Sequence, residues 1–447
     1  MQSATLRRSL ARPGRLSVVV RRPRGAASVR PLRVAMPDRS VSAAAAAAGS
    51  DEDAGNCKLY IDREGNMIQC MCCDYGFRAG AGRLYQDRYG EVPGGILDMA
   101  SANFKHELSA LRSSFRFNEY DPLLAANTGV VGKVLAGPSR AVIGGLKSLD
   151  LWLESNKLLP KLERPLMDAA MAGEDGGMSE ECKEIREKLA QLKLNDDDVW
   201  AREKARIARG EGVVPAPWWI KVPFWLLCVI LDQLFANRPI QRFWVLETVA
   251  RIPYFSAISL LHLYESLGFW RAGAELRKIH FAEEWNELHH LQIMEALGGD
   301  QLWFDRFVAE HAALVYYWAC IAFYMLAPKN AYQFCELVEL HAVDTYAQFF
   351  ETNGRLLKSL PPPKVAVAYY RNEDLYMFDE MQTCSQREPR RPVCNTLYDV
   401  FVNIRDDEIE HVNTMHACQS PAIAATLAER RNSEGASGGA LPAPIRR

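Results

Sequence analysis

Two short stretches of this 447-residue chain share one pattern. NELHHLQIMEALGGD, beginning at Asn286, carries Glu287 and His290; NIRDDEIEHV, beginning at Asn403, carries Glu408 and His411. Three residues advance an α-helix by about 300°, so Glu-x-x-His turns a carboxylate and an imidazole to one face. Of the nine histidines, only His290 and His411 have a glutamate three places before them. Two more glutamates, Glu247 in RFWVLETVARIPYF and Glu339 in ELVELHAVDTYAQFF, lie in apolar helical stretches. The order along the chain is Glu, Glu-x-x-His, Glu, Glu-x-x-His. A di-iron carboxylate bundle takes this donor set from four helices. Carboxylates favour iron and can bridge two ions, and imidazole suits iron as a borderline donor. Four carboxylates balance the charge of two Fe(II), whereas burying them without metal is costly. Glu283, Glu284 and Glu410 are expected on solvated helix faces.

Four helices must carry these residues. The first starts near Asn237-Arg238-Pro239 and runs to about Gly268, with a kink expected at Pro253. The second spans 272–296 and stops at Gly298-Gly299. The third spans 330–353, closed by Gly354, and the fourth opens at Asn395-Thr396 and ends before Pro421. Between the last two lies a long connection containing PPPK and REPRRPV, and loops of that length are usually functional or specially packed. The fold class is all-α: a ferritin-like di-iron four-helix bundle. Upstream, VPAPWWIKVPFWLLCVILDQLF brings together Trp218, Trp219 and Trp225 with Lys221, and a second aromatic apolar stretch spans 312–327. Both apolar runs are short for a bilayer span, so additional interfacial membrane-binding helices are expected, with a core helix as the alternative.

Composition limits the remainder. Hydrophobic residues make up 49% and the formal net charge is -2, which fits neither a disordered chain nor a nucleic-acid groove. Residues 1–35 are rich in arginine and serine and hold no acid, the pattern of an organelle transit peptide; a basic binding arm is the alternative. Residues 36–215 hold no catalytic constellation. Within them Pro138 is expected to break the segment after residue 128, Ser179 to cap a helix, and Asp196–Asp198 to lie in solvent. The eleven cysteines are an odd number, which suits a reducing compartment, and Cys57 with the cluster Cys70-Met71-Cys72-Cys73 is expected as free thiols in a mobile segment. Residues 216–420 form the di-iron domain, and 421–447 a flexible tail.

LETVARIPYF, NELHHL, VELHAVDTY and NIRDDEIEH resemble the plastid branch of the alternative oxidase family, in order and across residues 216–420. The resemblance implies a membrane-associated di-iron quinol oxidase, usually a homodimer. Such an enzyme oxidises plastoquinol, reduces O2 to water and, in a plastid, lies on the stromal face of the thylakoid membrane. Its two non-haem iron ions would be held by Glu247, Glu287, His290, Glu339, Glu408 and His411, the six residues that spacing selects. By the same resemblance Tyr346 is a one-electron donor beside the iron; core packing is the alternative. Asp407, four before His411, is placed to orient a ligand imidazole. His262, Tyr324 and Leu246 match positions that the family pattern uses, though His262 reads equally as a core histidine. Arg242 and Thr345 match residues lining the quinol pocket, although Arg242 lies about 140° round the helix from Glu247. His289 and His341 lack ligand spacing. A competing function is a membrane-associated di-iron hydroxylase or desaturase acting on a lipid-like substrate. An iron-storage bundle would leave the tryptophan-rich helices without a role.

Overall fold

The structure, a computed structural model, describes residues 59–71, 94–117, 130–162, 179–270, 274–372, 375–384, 389–420 and 422–423. The leader, Cys57, Cys72, Cys73 and nearly all of the tail lie outside the described residues. A hairpin of β1 (Leu59–Ile61) and β2 (Met67–Gln69) is followed by α1 (Ile96–Arg116), α2 (Val130–Ser155), α3 (Glu180–Leu189), α4 (Asp196–Ala208) and α5 (Trp218–Leu234). Next come α6 (Pro239–Ser266), α7 (Ala274–Ala296), α8 (Trp303–Leu326) and α9 (Pro328–Leu357). The short α10 (Lys364–Val367) and α11 (Leu375–Met381) precede α12 (Leu397–Ala417). The four expected bundle helices are α6, α7, α9 and α12; α6 packs along α7 and α9 along α12.

Local chemistry sets the helix ends. Asn237 takes φ 61°, a left-handed conformation that asparagine tolerates, and Pro239 then opens α6 at a position that needs no N–H. Pro253 inside α6 removes the amide that would bond the carbonyl of Val249. Gly298, at φ 85°, closes α7, and a Cβ on Gly299 would lie 2.5 Å from Cβ of Trp244, so glycine lets this corner close against α6. Thr396 and Asp399 form a reciprocal capping box at the start of α12, and the hydroxyl of Ser179 caps α3.

Several sequence expectations are corrected. α9 runs through Gly354 to Leu357, because its last turn buries Leu357 completely. α2 continues through Pro138, which costs it a backbone donor without ending it. Cys70 and Met71 are buried in the main core, with Met71 N donating to Pro362 O at 3.0 Å, so this part of the cysteine cluster is packed structure. Asp197 and Asp198 are exposed as expected, but Asp196 is half-buried and pairs with Arg242 at 2.5 Å.

The region upstream of α5 packs on the bundle. Arg371, in the connection before α12, pairs with Asp62 of the hairpin at 2.6 Å. Arg206 of α4 pairs with Asp344 of α9 at 2.8 Å, and Lys193 N donates to Asn353 at 3.1 Å. The connection after α9 is ordered by α10, a π-helical turn over Ala368–Asn372, and α11. Outside the bundle, α5 exposes Trp218, Trp219 and Trp225, and α8 exposes Leu314, Val315, Trp318 and Leu326.

Candidate metal centre

Glu247 comes from α6, Glu287 and His290 from α7, Glu339 from α9, and Glu408 and His411 from α12; all are buried. They form two overlapping groups, Glu247–Glu287–His290–Glu408 and Glu287–Glu339–Glu408–His411, whose donor atoms all lie within 4.8 Å of one another. Glu287 and Glu408 belong to both groups. His411 Nδ1 is 2.9 Å from Glu287 and 3.2 Å from Glu408. His290 Nδ1 is 3.5 Å from Glu408, 3.7 Å from Glu287 and 3.8 Å from Glu247.

Buried polar atoms ordinarily find partners. Here Glu247 Oε2, Glu287 Oε2 and His290 Nδ1 have none among the described residues. Unpartnered acids and an imidazole pointing to one volume fit a pair of divalent ions bound by oxygen and nitrogen. Electrostatics agree. Burial, reinforced by Glu287, pushes Glu247 well above the usual carboxylate range, and burial with Glu408 does the same to Glu339. Burial also drives Glu287 upward, but hydrogen bonding to His290 and His411 outweighs it and holds Glu287 well below that range. Both imidazoles are raised because their acidic neighbours outweigh burial. Protons therefore partly neutralise the cluster, as bound cations would.

Surrounding side chains hold the donors. Tyr346 Oη donates to Glu247 Oε1, and Tyr254 Oη donates to Glu339 Oε1 at 2.7 Å. Asp407 Oδ2 lies 3.1 Å from His290 Nε2, so the imidazole it orients belongs to another helix and not to its own His411. Asp407 also accepts from Asn286 at 3.0 Å, from Tyr370 at 2.9 Å and from Arg390. Burial would raise its carboxyl, but Arg390 and His290 more than offset that and bring it down to about 2. Asn286 donates to Tyr369 at 2.7 Å. The π-helical turn places Tyr369 and Tyr370 here, so the long connection is indeed specially packed; such turns recur at functional sites.

The remaining candidates separate. Leu246, Arg242, Thr345 and Tyr346 line one cavity of about 210 Å³, together with Glu247, Glu339 and Glu408. Arg242 is held by Asp196 and, at 2.8 Å, by Asp232. His262 is not at the site: it is exposed, near Arg277, because fifteen residues of helix carry it about 22 Å beyond Glu247. Tyr324 is buried but lies behind the cavity wall, its hydroxyl 3.5 Å from Cys335 Sγ. His289 stacks on Tyr369 and His341 pairs with Glu203, and neither joins the donor groups. The expectation of solvated Glu283, Glu284 and Glu410 is corrected, since all three are buried. Glu283 pairs with His280 at 2.9 Å, Glu284 accepts from Arg251 at 2.9 Å, and Glu410 lies 4.0 Å from Arg390. Sequence reading missed Tyr254, although it lies seven residues after Glu247 just as Tyr346 lies seven after Glu339. Asn286, Tyr369, Tyr370 and Arg390 carry no spacing signal.

A family model described as alternative oxidase matches residues 225–420, the span that contains all six donors. Over those residues the chain is similar to the alternative oxidase family. Over 191 residues it is 56% identical to ubiquinol oxidase 4, chloroplastic/chromoplastic, of Arabidopsis thaliana, covering 43% of this chain and 54% of that relative. Alternative oxidase 3, mitochondrial, of Glycine max is 30% identical over 192 residues, 42% of this chain and 52% of the relative. Ubiquinol oxidase 1, mitochondrial, of the same plant is 24% identical over 311 residues, 65% of this chain and 89% of the relative. The chain thus spans about half the length of the first of these relatives. The family model matches only residues 225–420, and α1 to α4 lie before that segment.

Proposed function

We propose that this chain is a plastoquinol:oxygen oxidoreductase that oxidises plastoquinol and reduces O2 to water at two non-haem iron ions. One observation carries the reading: the 210 Å³ cavity is walled mainly by apolar side chains, yet Glu247, Glu339, Glu408 and Tyr346 also line it. A hydrophobic reductant can therefore reach the carboxylate cluster without crossing water. The iron pair, when bound, supplies the redox chemistry that links quinol to oxygen. The protein does the rest. Leu246, Val249 and Phe243 receive an apolar ring, while Arg242 and Thr345 offer polar edges to its oxygens. Tyr254 and Asp407 hold Glu339 and His290 in place, and the Tyr346 phenol, bonded to Glu247, can release an electron and its proton together. Moving both at once avoids leaving a separated charge in a dry site.

The plastid setting is supported by the leader and by the chloroplastic relative. Membrane attachment is supported by the exposed tryptophans of α5 and by α8, which is apolar and long enough to span a membrane but sits with only 17% of its apolar window buried. We read these as interfacial helices on one leaflet of the thylakoid, facing the stroma, in a homodimer. Purified, iron-loaded protein should consume oxygen with a plastoquinol analogue as sole reductant. A hydroxylase or desaturase would instead need a separate electron donor and would leave a modified organic product. No uptake from the iron-loaded protein would remove the oxidase reading.

A further inference from the structure

Two cavities meet at one pair of side chains. His341 of α9 lines the 210 Å³ cavity that also reaches Glu247 and Tyr346. Glu203 of α4 lines a second cavity of about 240 Å³ with Arg206 and Lys221, and Phe224 belongs to both walls. His341 Nδ1 and Glu203 Oε2 are 2.9 Å apart. The ring is clamped by Trp200, with centroids 4.9 Å apart, and by the edge-on ring of Phe224 at 5.8 Å. His341 is only 7% exposed, yet its far nitrogen, Nε2, has no hydrogen-bond partner among the described residues. A buried ring nitrogen without a partner at the wall of an apolar cavity is a site for a polar ligand atom.

We infer that His341 Nε2 accepts a hydrogen bond from a hydroxyl of the reduced quinol head, and that Glu203 fixes it in that role; this rests on the quinol-oxidase reading. Glu203 accepts the proton carried on Nδ1, so Nε2 presents its lone pair. A quinol offers O–H to that lone pair. A quinone offers only a carbonyl oxygen, another acceptor, and is repelled. The pair thus selects the reduced substrate and favours release of the oxidised product. Glu203 lies outside the matched segment 225–420, so a helix upstream of the alternative oxidase domain completes the substrate site. Thr345 cooperates from the same helix by donating its hydroxyl to His341 O at 2.7 Å, which leaves its oxygen lone pairs for the ligand.

The test is binding, measured by calorimetry on reduced, iron-loaded protein under argon. The probes are a short-chain alkyl hydroquinone, its quinone and its dimethyl ether. The wild type should bind the hydroquinone about five- to tenfold tighter than the ether, the value of one hydrogen bond to an otherwise unsatisfied buried atom. His341→Leu should bring that ratio close to one. Glu203→Gln keeps the shape but can donate to Nδ1, turning Nε2 into a donor, so the quinone should gain affinity relative to the hydroquinone. A merely structural pair would not produce that reversal. Equal affinities in the wild type, or an unchanged ratio in a folded Glu203→Gln protein, overturn the inference while leaving the oxidase reading intact. Failure of every probe to bind the wild type overturns both.

Discussion

Tyr254 of α6 donates to Glu339 of α9 at 2.7 Å, and the mirror contact runs from Tyr346 of α9 to Glu247 of α6. Each tyrosine lies seven residues after the glutamate in its own helix but holds the glutamate of the other. The two helices are cross-tied at the level of the donor cluster. Tyr346 alone of the two also lines the cavity and stacks on Phe243, with centroids 4.4 Å apart.

That asymmetry separates two variants. Tyr346→Phe keeps the ring and its stacking, so at saturating metal it should load two irons while quinol-driven oxygen uptake falls by more than tenfold. Tyr254→Phe releases only Glu339, and should weaken iron affinity by about tenfold with less effect on turnover once loaded. Full activity in the iron-loaded Tyr346→Phe protein would leave that tyrosine as packing.

Asp407→Asn should weaken iron binding by about 10- to 100-fold, because His290 loses the carboxylate that orients it. The same residue gives a pH signature in the metal-free protein. Its folded value, about 2, lies below the unfolded value of about 3.9, so its contribution is full above the latter and lost as pH falls through the former. The stability gap between wild type and Asp407→Asn should be constant above about pH 4 and shrink toward pH 2 in acid unfolding. A gap that widened on acidification would contradict the assigned charge.

Iron uptake should release protons. Glu247 and Glu339 are raised by burial and acidic neighbours, while their acidic partners raise His290 and His411, so these groups hold protons that a metal must displace. Apparent affinity should rise with pH, by up to about tenfold per unit for each proton released. A dye in weak buffer reads the protons directly, and pH-independent binding would oppose this account.

Ligand and non-ligand acids should respond differently. Glu287→Ala and His411→Ala should lose iron and turnover. Glu410→Ala should keep its iron, though burial near Arg390 predicts a stability loss of about 1–3 kcal/mol. Metal analysis together with thermal melting distinguishes the two classes; iron loss in Glu410→Ala alone would mean that the phase of α12 is misread.

Replacing Trp218, Trp219 and Trp225 together by serine should reduce binding to vesicles of neutral and anionic lipid by at least tenfold, since all three are exposed on α5. Iron content should not change. Undiminished sedimentation with vesicles would move the membrane contact elsewhere, with α8 the next surface to test.

The six donors were legible in the sequence because helical phase is local. A glutamate and a histidine three apart share a face wherever the helix is placed, and Pro239, Gly298 and the Thr396–Asp399 box mark helix ends through contacts within a few residues. Contacts between helices are not local. Asp407 shares a face with His411, yet it meets His290, because the facing of α7 and α12 is set by packing. His262 matched the family pattern but lies too far along the helix axis from Glu247 to join the site, and it is exposed. Glu284 and Glu410 looked solvated because a charge is stable in the interior only with a partner, and Arg251 and Arg390 come from elsewhere in the chain, whereas Glu283 has its partner His280 one turn earlier on the same helix. Arg390 and the two tyrosines of the π-helical turn reach the site only because the connection folds back over α7 and α12. The sequence alone determined which six acids and imidazoles could share one site and the helices that carry them. The tertiary structure decided what holds each donor and what faces the cavity, since those depend on which helices meet and at what height.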